Sequence, residues 1–170
     1  MTNRTKNLAD RSIRRQVEAI TRKRLASQNI VDLNDFRSLR KDLNQPTILV
    51  VDDEEIMRNA LKRILEIEHY KVILAEDAMG LTKILDTAHF DLILLDINMP
   101  WVDGIELCAM LKGHSSLSHV PLILVSGRKS KEDIEKGFAA GCDDYITKPF
   151  EVDHILDVVS KALIPVGLAK

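Results

Sequence analysis

The chain has 170 residues, enough to bury a core without metals or disulfides, and its 45% hydrophobic and 29% charged residues match an ordinary globular protein. No apolar run approaches the roughly 18 residues of a membrane span, and MTNRTKNLADRSIRRQ has no apolar stretch of signal-peptide length, so a cytoplasmic protein with no membrane partner is expected. The net charge of −2 hides a split: residues 1–45 carry eleven Lys/Arg against five Asp/Glu, and residues 46–170 carry thirteen against twenty-one.

Residues 1–45 read as a basic helical extension. Ile13, Val17 and Ile20 fall at helical spacing among arginines and lysines, and Leu33, Phe36, Leu39 and Leu43 form a second stripe with Asp32 as its N-cap. The stripes do not share one heptad phase, so a helical hairpin or two short docked helices is expected rather than a coiled coil. Gln45-Pro46 closes the segment, because proline disfavours helix in the residue before it.

Residues 46–170 alternate strand and helix. ILVV (48–51) has no polar side, as in a strand buried on both faces. Then come Asp52, Asp53, Glu54 and Glu55, four adjacent like charges that need a solvated loop, a helix start or a cation to offset them. Met57, Leu61, Ile64 and Leu65 mark a helix over 54–68. KVILA (71–75) is the second strand, and Leu81, Ile84, Leu85 and Ala88 mark the second helix. DLILLD (91–96) is the third strand, followed by a helix marked by Leu107, Cys108 and Leu111. VPLILVS (120–126) is the fourth strand; Ser130 and Asp133 resemble a capping box for a helix carrying Ile134 and Phe138. DYI (144–146) is the fifth strand, and Val152, Ile155, Leu156, Val159 and Leu163 mark a last helix before Pro165.

Five apolar strands alternating with five helices imply right-handed crossovers and a doubly wound, five-stranded parallel sheet. Functional residues in such α/β sheets collect beyond the carboxyl ends of the strands. Those ends carry Asp52 and Asp53, Asp96, Ser126, and then Lys148-Pro149. Carboxylates are hard oxygen ligands, and Mg²⁺ accepts a few of them together with water and a phosphate. A carboxylate can also act as nucleophile and form an aspartyl phosphate, a reaction that needs positioning and charge neutralisation above all. Cys108 and Cys142 form no CxxC pair and read as buried thiols in a reducing compartment. His69, His89, His114, His119 and His154 have no metal-ligand spacing and read as surface residues.

ILVVDDEE, DLILLDINMPWVDGIEL, PLILVSG and GCDDYITKPF resemble the signature segments of the response-regulator receiver domain of two-component signalling, over residues 47 to 164. The resemblance implies a flavodoxin-like receiver fold. It makes Asp96 the phosphoacceptor, and Asp52 and Asp53 the acidic pair for Mg²⁺, with Asn98 offering its backbone carbonyl. Ser126 and Lys148 would contact the phosphoryl group, Lys148–Pro149 would be cis, and Tyr145 would be the switch aromatic paired with Ser126. It implies a histidine kinase or phosphotransfer protein as donor and a downstream protein as target. No enzymatic activity is expected beyond self-catalysed phosphotransfer to Asp96 and its hydrolysis.

Departures from the pattern raise further expectations. Trp101 stands where a small residue is usual; it is either an exposed partner contact or an indole folded back on the surface. Arg128 reads as a solvated arginine, with ordering of phosphate or water as the alternative. Asp143 and Asp144 match the dimer face of the DNA-binding subfamily, but the last helix lacks its arginines, so dimerisation there is not expected. No effector follows residue 170, so output is expected through protein contacts or residues 1–45, which would dimerise or dock. Phosphorylation-regulated nucleic-acid binding by that basic segment is the alternative, without a helix-turn-helix signature to support it. An aspartate-nucleophile phosphatase would need an acid at position 98, which is Asn98. A mononucleotide site would need a Gly- or Ser-rich loop where DDEE stands.

Overall fold

The computed structural model describes residues 45–164; the expected apolar stripes of residues 1–45 and the stretch from Pro165 lie outside the described residues. In chain order the elements are β1 (Thr47–Val51), α1 (Glu55–Ile67), β2 (Lys71–Ala75), α2 (Ala78–Thr87), β3 (Leu92–Asp96), β4 (Asn98–Met99), β5 (Val102–Asp103), α3 (Gly104–Gly113), β6 (Leu122–Ser126), α4 (Lys131–Ala139), β7 (Asp144–Thr147) and α5 (Val152–Ala162). Five strands form one parallel sheet in the order β2-β1-β3-β6-β7, with β4 and β5 as a separate antiparallel pair. This is the flavodoxin-like receiver fold, and its strand order reverses between β1 and β3.

Alternation along each strand builds two cores. Leu49, Val51, Ile93, Leu95, Leu122 and Leu124 face one side and pack with Leu81 of α2 and Leu107, Cys108 and Leu111 of α3. Ile48, Val50, Leu92, Leu94, Ile123, Val125 and Ile146 face the other and pack with Leu61 and Leu65 of α1 and Ile155, Val158 and Val159 of α5. The central strands therefore need both odd and even positions apolar, which explains their unbroken hydrophobic runs. Each fully buried side chain contributes roughly 1.5–3 kcal/mol.

Register fixes the site. Val51 pairs with Leu95, so Asp52 lies level with Asp96, and Asp96 pairs with Val125 just before Ser126. Ser126 in turn pairs with Thr147, the residue before Lys148.

Local details depart from the sequence reading. The fourth sheet strand starts at Leu122 rather than Val120, because Pro121 has no N–H for the ladder. The Leu122 N–H does have an intramolecular partner, Asp143 Oδ2 (2.7 Å). Ser130 caps α4 by accepting from the Asp133 N–H (3.1 Å), but Asp133 returns its carboxylate to the Ser130 hydroxyl rather than to its backbone. Phe138 of α4 is exposed. The five histidines are exposed, and Cys108 and Cys142 are buried free thiols. Burial pushes them up to about 11 and about 12, which leaves them protonated at neutral pH.

Candidate functional site

The acidic run after β1 is divided by the fold. Asp52 is 2% exposed, while Asp53, Glu54 and Glu55 face solvent. Glu55 lies in the first turn of α1, where the helix dipole favours negative charge. Asp52 Oδ1 accepts from the Glu54 N–H (2.8 Å), and Asp52 Oδ2 accepts from Lys148 Nζ (3.0 Å).

Asp96 ends β3 and is 5% exposed. Its Oδ1 accepts from Lys148 Nζ (2.9 Å) and its Oδ2 from the Asn98 N–H (3.0 Å). One ammonium thus bridges two buried carboxylates. Burial lifts the Asp52 carboxyl above its ordinary value even against Lys148. Burial alone would lower Lys148, but the hydrogen bond and charge of Asp96, joined by Asp52, hold it above 10.5. Oxygens of Asp52, Asp53 and Asp96 lie within 4.8 Å of one another. Three carboxylates this close repel, and a divalent cation with oxygen ligands would relieve the repulsion.

Ser126 is fully buried at the end of β6, and its Oγ accepts from the Arg128 N–H (3.1 Å). The Ser126 carbonyl accepts from the Lys148 N–H (2.7 Å), which ties the two loops together. The Lys148–Pro149 bond is cis. Tyr145 is half-buried, and its hydroxyl donates to the Arg128 carbonyl (2.9 Å). Gly127 has open space where a Cβ would stand.

Two expectations need correction or choice. Arg128 is not a free, solvated side chain: Nε donates to Asn98 Oδ1 (2.8 Å) and a terminal nitrogen to Asp103 Oδ2 (2.9 Å). For Trp101 the folded-back reading describes the molecule: the indole is half-buried against the core and its buried Nε1 has no hydrogen-bond partner among the described residues. Asp143, which matches the dimer face on which no dimerisation is expected, accepts within the domain from Lys112 (2.8 Å) and the Leu122 N–H.

Three residues around the site escaped the sequence reading. Arg58 of α1 is buried and donates to the Asp52 carbonyl (2.8 Å) and Glu76 (2.9 Å), bracing the loop that carries Asp53. The signal was present: Arg58 lies in phase with Leu61 and Leu65 on an otherwise apolar stripe. Asp103 caps α3 through the Ile105 N–H (2.8 Å) while holding Arg128 with its other oxygen. A Cβ on Gly104 would stand 2.3 Å from the Asp96 carbonyl oxygen, so only glycine lets α3 begin against the end of β3.

Comparison with known proteins agrees with this geometry. The family model described as the response regulator receiver domain matches residues 48–160. The chain is 42% identical over 114 residues to the transcriptional regulatory protein ResD of Bacillus subtilis, covering 66% of this chain and 46% of that protein. It is 36% identical over 109 residues to the response regulator MprA of Mycobacterium tuberculosis, covering 64% of this chain and 46% of that one. The chain therefore spans about half the length of these relatives. Among solved structures, the signal receiver domain of a signal transduction histidine kinase from Syntrophus aciditrophicus superposes with a TM-score of 0.66 at 31% identity, over 74% of this chain and 95% of that one. The chemotaxis response regulator CheY4 of Vibrio cholerae superposes with a TM-score of 0.66 at 27% identity, over 71% and 100%. With its sheet order, its acidic pocket and the family match over residues 48–160, the chain belongs to the response regulator receiver family.

Proposed function

We propose that Asp96 accepts a phosphoryl group from a histidine kinase or phosphotransfer protein and that the resulting charge switches protein contacts of the domain. The observation that carries this reading is Lys148 Nζ lying 3.0 Å and 2.9 Å from two buried carboxylates that share a pocket with Asp53. A carboxylate oxygen of Asp96 attacks phosphorus, and the bond to the donor breaks with its electron pair leaving on the donor. Asp96 becomes a mixed anhydride with phosphate. Lys148, already between the carboxylates, is placed to pair with a phosphoryl oxygen. Ser126 Oγ accepts from the Arg128 N–H, and a hydroxyl has its own proton to donate to another phosphoryl oxygen.

Asp52, Asp53 and Asp96 suit Mg²⁺ by charge and spacing, with the Asn98 carbonyl as a further ligand. When bound, Mg²⁺ neutralises the carboxylates and the charge on the phosphoryl oxygens. Tyr145 is the switch aromatic in this reading. Its hydroxyl bonds to the same loop as Ser126, so a shift of Ser126 toward phosphate changes what Tyr145 can reach.

In this reading residues 1–45 serve dimerisation or docking on a partner, and the protein works in the cytoplasm. A second reading keeps nucleic acid as partner, favoured by the +6 balance of residues 1–45. Salt-dependent DNA retention lost on removing those residues would select it. The central reading is tested by intact-protein mass after acetyl phosphate and Mg²⁺. A single Mg²⁺-dependent phosphoryl adduct, absent from Asp96→Asn, is expected; an equal adduct on Asp96→Asn would refute it.

A further inference from the structure

Arg58 closes a ring of contacts behind the acidic pocket. β1 and β2 end level with each other, Val51 beside Ala75. The Asp52 N–H still reaches the Ala75 carbonyl (3.2 Å), one step past the paired residues. The Asp52 carbonyl then takes a side chain. One terminal nitrogen of Arg58 donates to it (2.8 Å), and the other donates to Glu76, just beyond β2 (2.9 Å). The Arg58 backbone N–H bonds to the Glu54 carbonyl (2.9 Å), so the guanidinium folds back over the turn that leads into its own helix.

These contacts fix a peptide plane. The Asp52 carbonyl and the Asp53 N–H belong to one planar group, so a held carbonyl leaves the Asp53 Cα little freedom. The three carboxylates of the pocket are not held alike. Asp52 and Asp96 are buried and share Lys148. Asp53 is exposed, and among the described residues no cation grips its carboxylate in that way. The aim of Asp53 is therefore set by its backbone, and that backbone by Arg58.

We propose that Arg58, anchored by Glu76, is a positioning residue for the cation site. By fixing the Asp52–Asp53 peptide it keeps an Asp53 oxygen within 4.8 Å of those of Asp52 and Asp96, and so sets a preference for Mg²⁺ over Ca²⁺. The inference rests on the reading of these three carboxylates as a divalent-cation site. Mg²⁺ demands near-ideal octahedral geometry at about 2.0–2.1 Å, whereas Ca²⁺ accepts longer and less regular contacts. A loosened Asp53 therefore costs Mg²⁺ more than Ca²⁺. Charge alone predicts otherwise: Arg58 is a cation beside the pocket, so a purely electrostatic role makes its removal tighten both ions equally. A role in stability alone moves neither ion while the domain stays folded.

The test titrates wild type, Arg58→Met, Arg58→Lys and Glu76→Ala with Mg²⁺ and with Ca²⁺ in the absence of any phosphodonor. Each ion displaces Mn²⁺, whose free form is read by electron paramagnetic resonance. Arg58→Met should lose about tenfold in Mg²⁺ affinity and Glu76→Ala about threefold, with Ca²⁺ changed by less than about twofold in both. Arg58→Lys keeps the charge but lacks the fork that reaches two acceptors, so it should regain only part of the Mg²⁺ affinity. Unchanged affinities, or equal shifts for the two ions, would overturn the proposal. The Glu76 side chain is 68% exposed, so Glu76→Ala keeps the fold and decides the matter if Arg58→Met does not fold. The ¹⁵N order parameter of Asp53 gives a readout without metal. It should fall from about 0.85 toward about 0.6 in Arg58→Met, and part of the way in Glu76→Ala; unchanged order would overturn the brace. Mn²⁺ that fails to bind wild type counts against the cation site itself, and the order parameter then decides the brace alone.

Discussion

Lys148 holds two buried carboxylates together, and its removal leaves their charges without a cation. Breaking a buried ion pair from one side costs roughly 3–5 kcal/mol. Lys148→Met should therefore lose about 3 kcal/mol in urea denaturation without divalent ions, and saturating Mg²⁺ should restore part of it. Unchanged stability would mean that Lys148 does not hold the pocket together. The pH dependence has a definite sign. Asp52 is raised above its ordinary value by burial, so its ionised form disfavours the fold above that raised value, and acidification relieves the cost. Lys148 is also raised, so its contribution is complete at neutral pH and is lost only as pH climbs through its folded value, above 10.5. Between pH 7 and pH 5, metal-free wild type should gain stability relative to Asp52→Asn as acid approaches the raised Asp52 value. With saturating Mg²⁺ the sign should reverse, because the ion binds the carboxylate and acid releases it. Paired denaturation curves at the two pH values measure this difference directly.

Among the elements, α3 presses hardest on the site. Gly104→Ala would drive a Cβ into the Asp96 carbonyl and the Ile97 Cα, both backbone atoms that cannot swing away. A loss of about 3 kcal/mol is expected, at the upper end of overpacking costs. Gly137→Ala makes the opposite case. Its Cβ would meet the Leu124 Cδ1 and the Tyr145 ring, both side-chain atoms, and α4 gains about 1 kcal/mol of helix propensity. Its net change should stay within about 1 kcal/mol, so equal destabilisation of the two variants in denaturation would refute the contrast. Elements of four or more residues were legible because apolar runs and helical stripes announce them, as ILVV and DLILLD do. The β4–β5 hairpin was not, since two residues per strand carry no period. Candidate site residues were legible because strand ends and motif spacing point to them. The cross-loop reach of Arg128 to Asp103 was hidden, because side-chain partners 25 residues apart leave no local signal.

The described molecule keeps its cores within residues 48–159. Both cores are complete in themselves among the described residues, so residues 46–170 alone should fold with the stability of the full chain to within about 1 kcal/mol. A large loss on truncation would mean that the extension completes the domain. The extension and the domain differ in charge sign, +6 against −8, which suits separate roles in one signalling chain. The claim on which all of this turns is that Asp96 is the phosphorylated atom's carrier. An acyl phosphate is reduced by borohydride to an alcohol, which turns a phosphorylated aspartate into homoserine. After acetyl phosphate, Mg²⁺ and borohydride, peptide mass spectrometry should find homoserine at position 96, and Asp52 and Asp53 intact. Homoserine at 52 or 53, with Asp96 unchanged, would contradict the assignment.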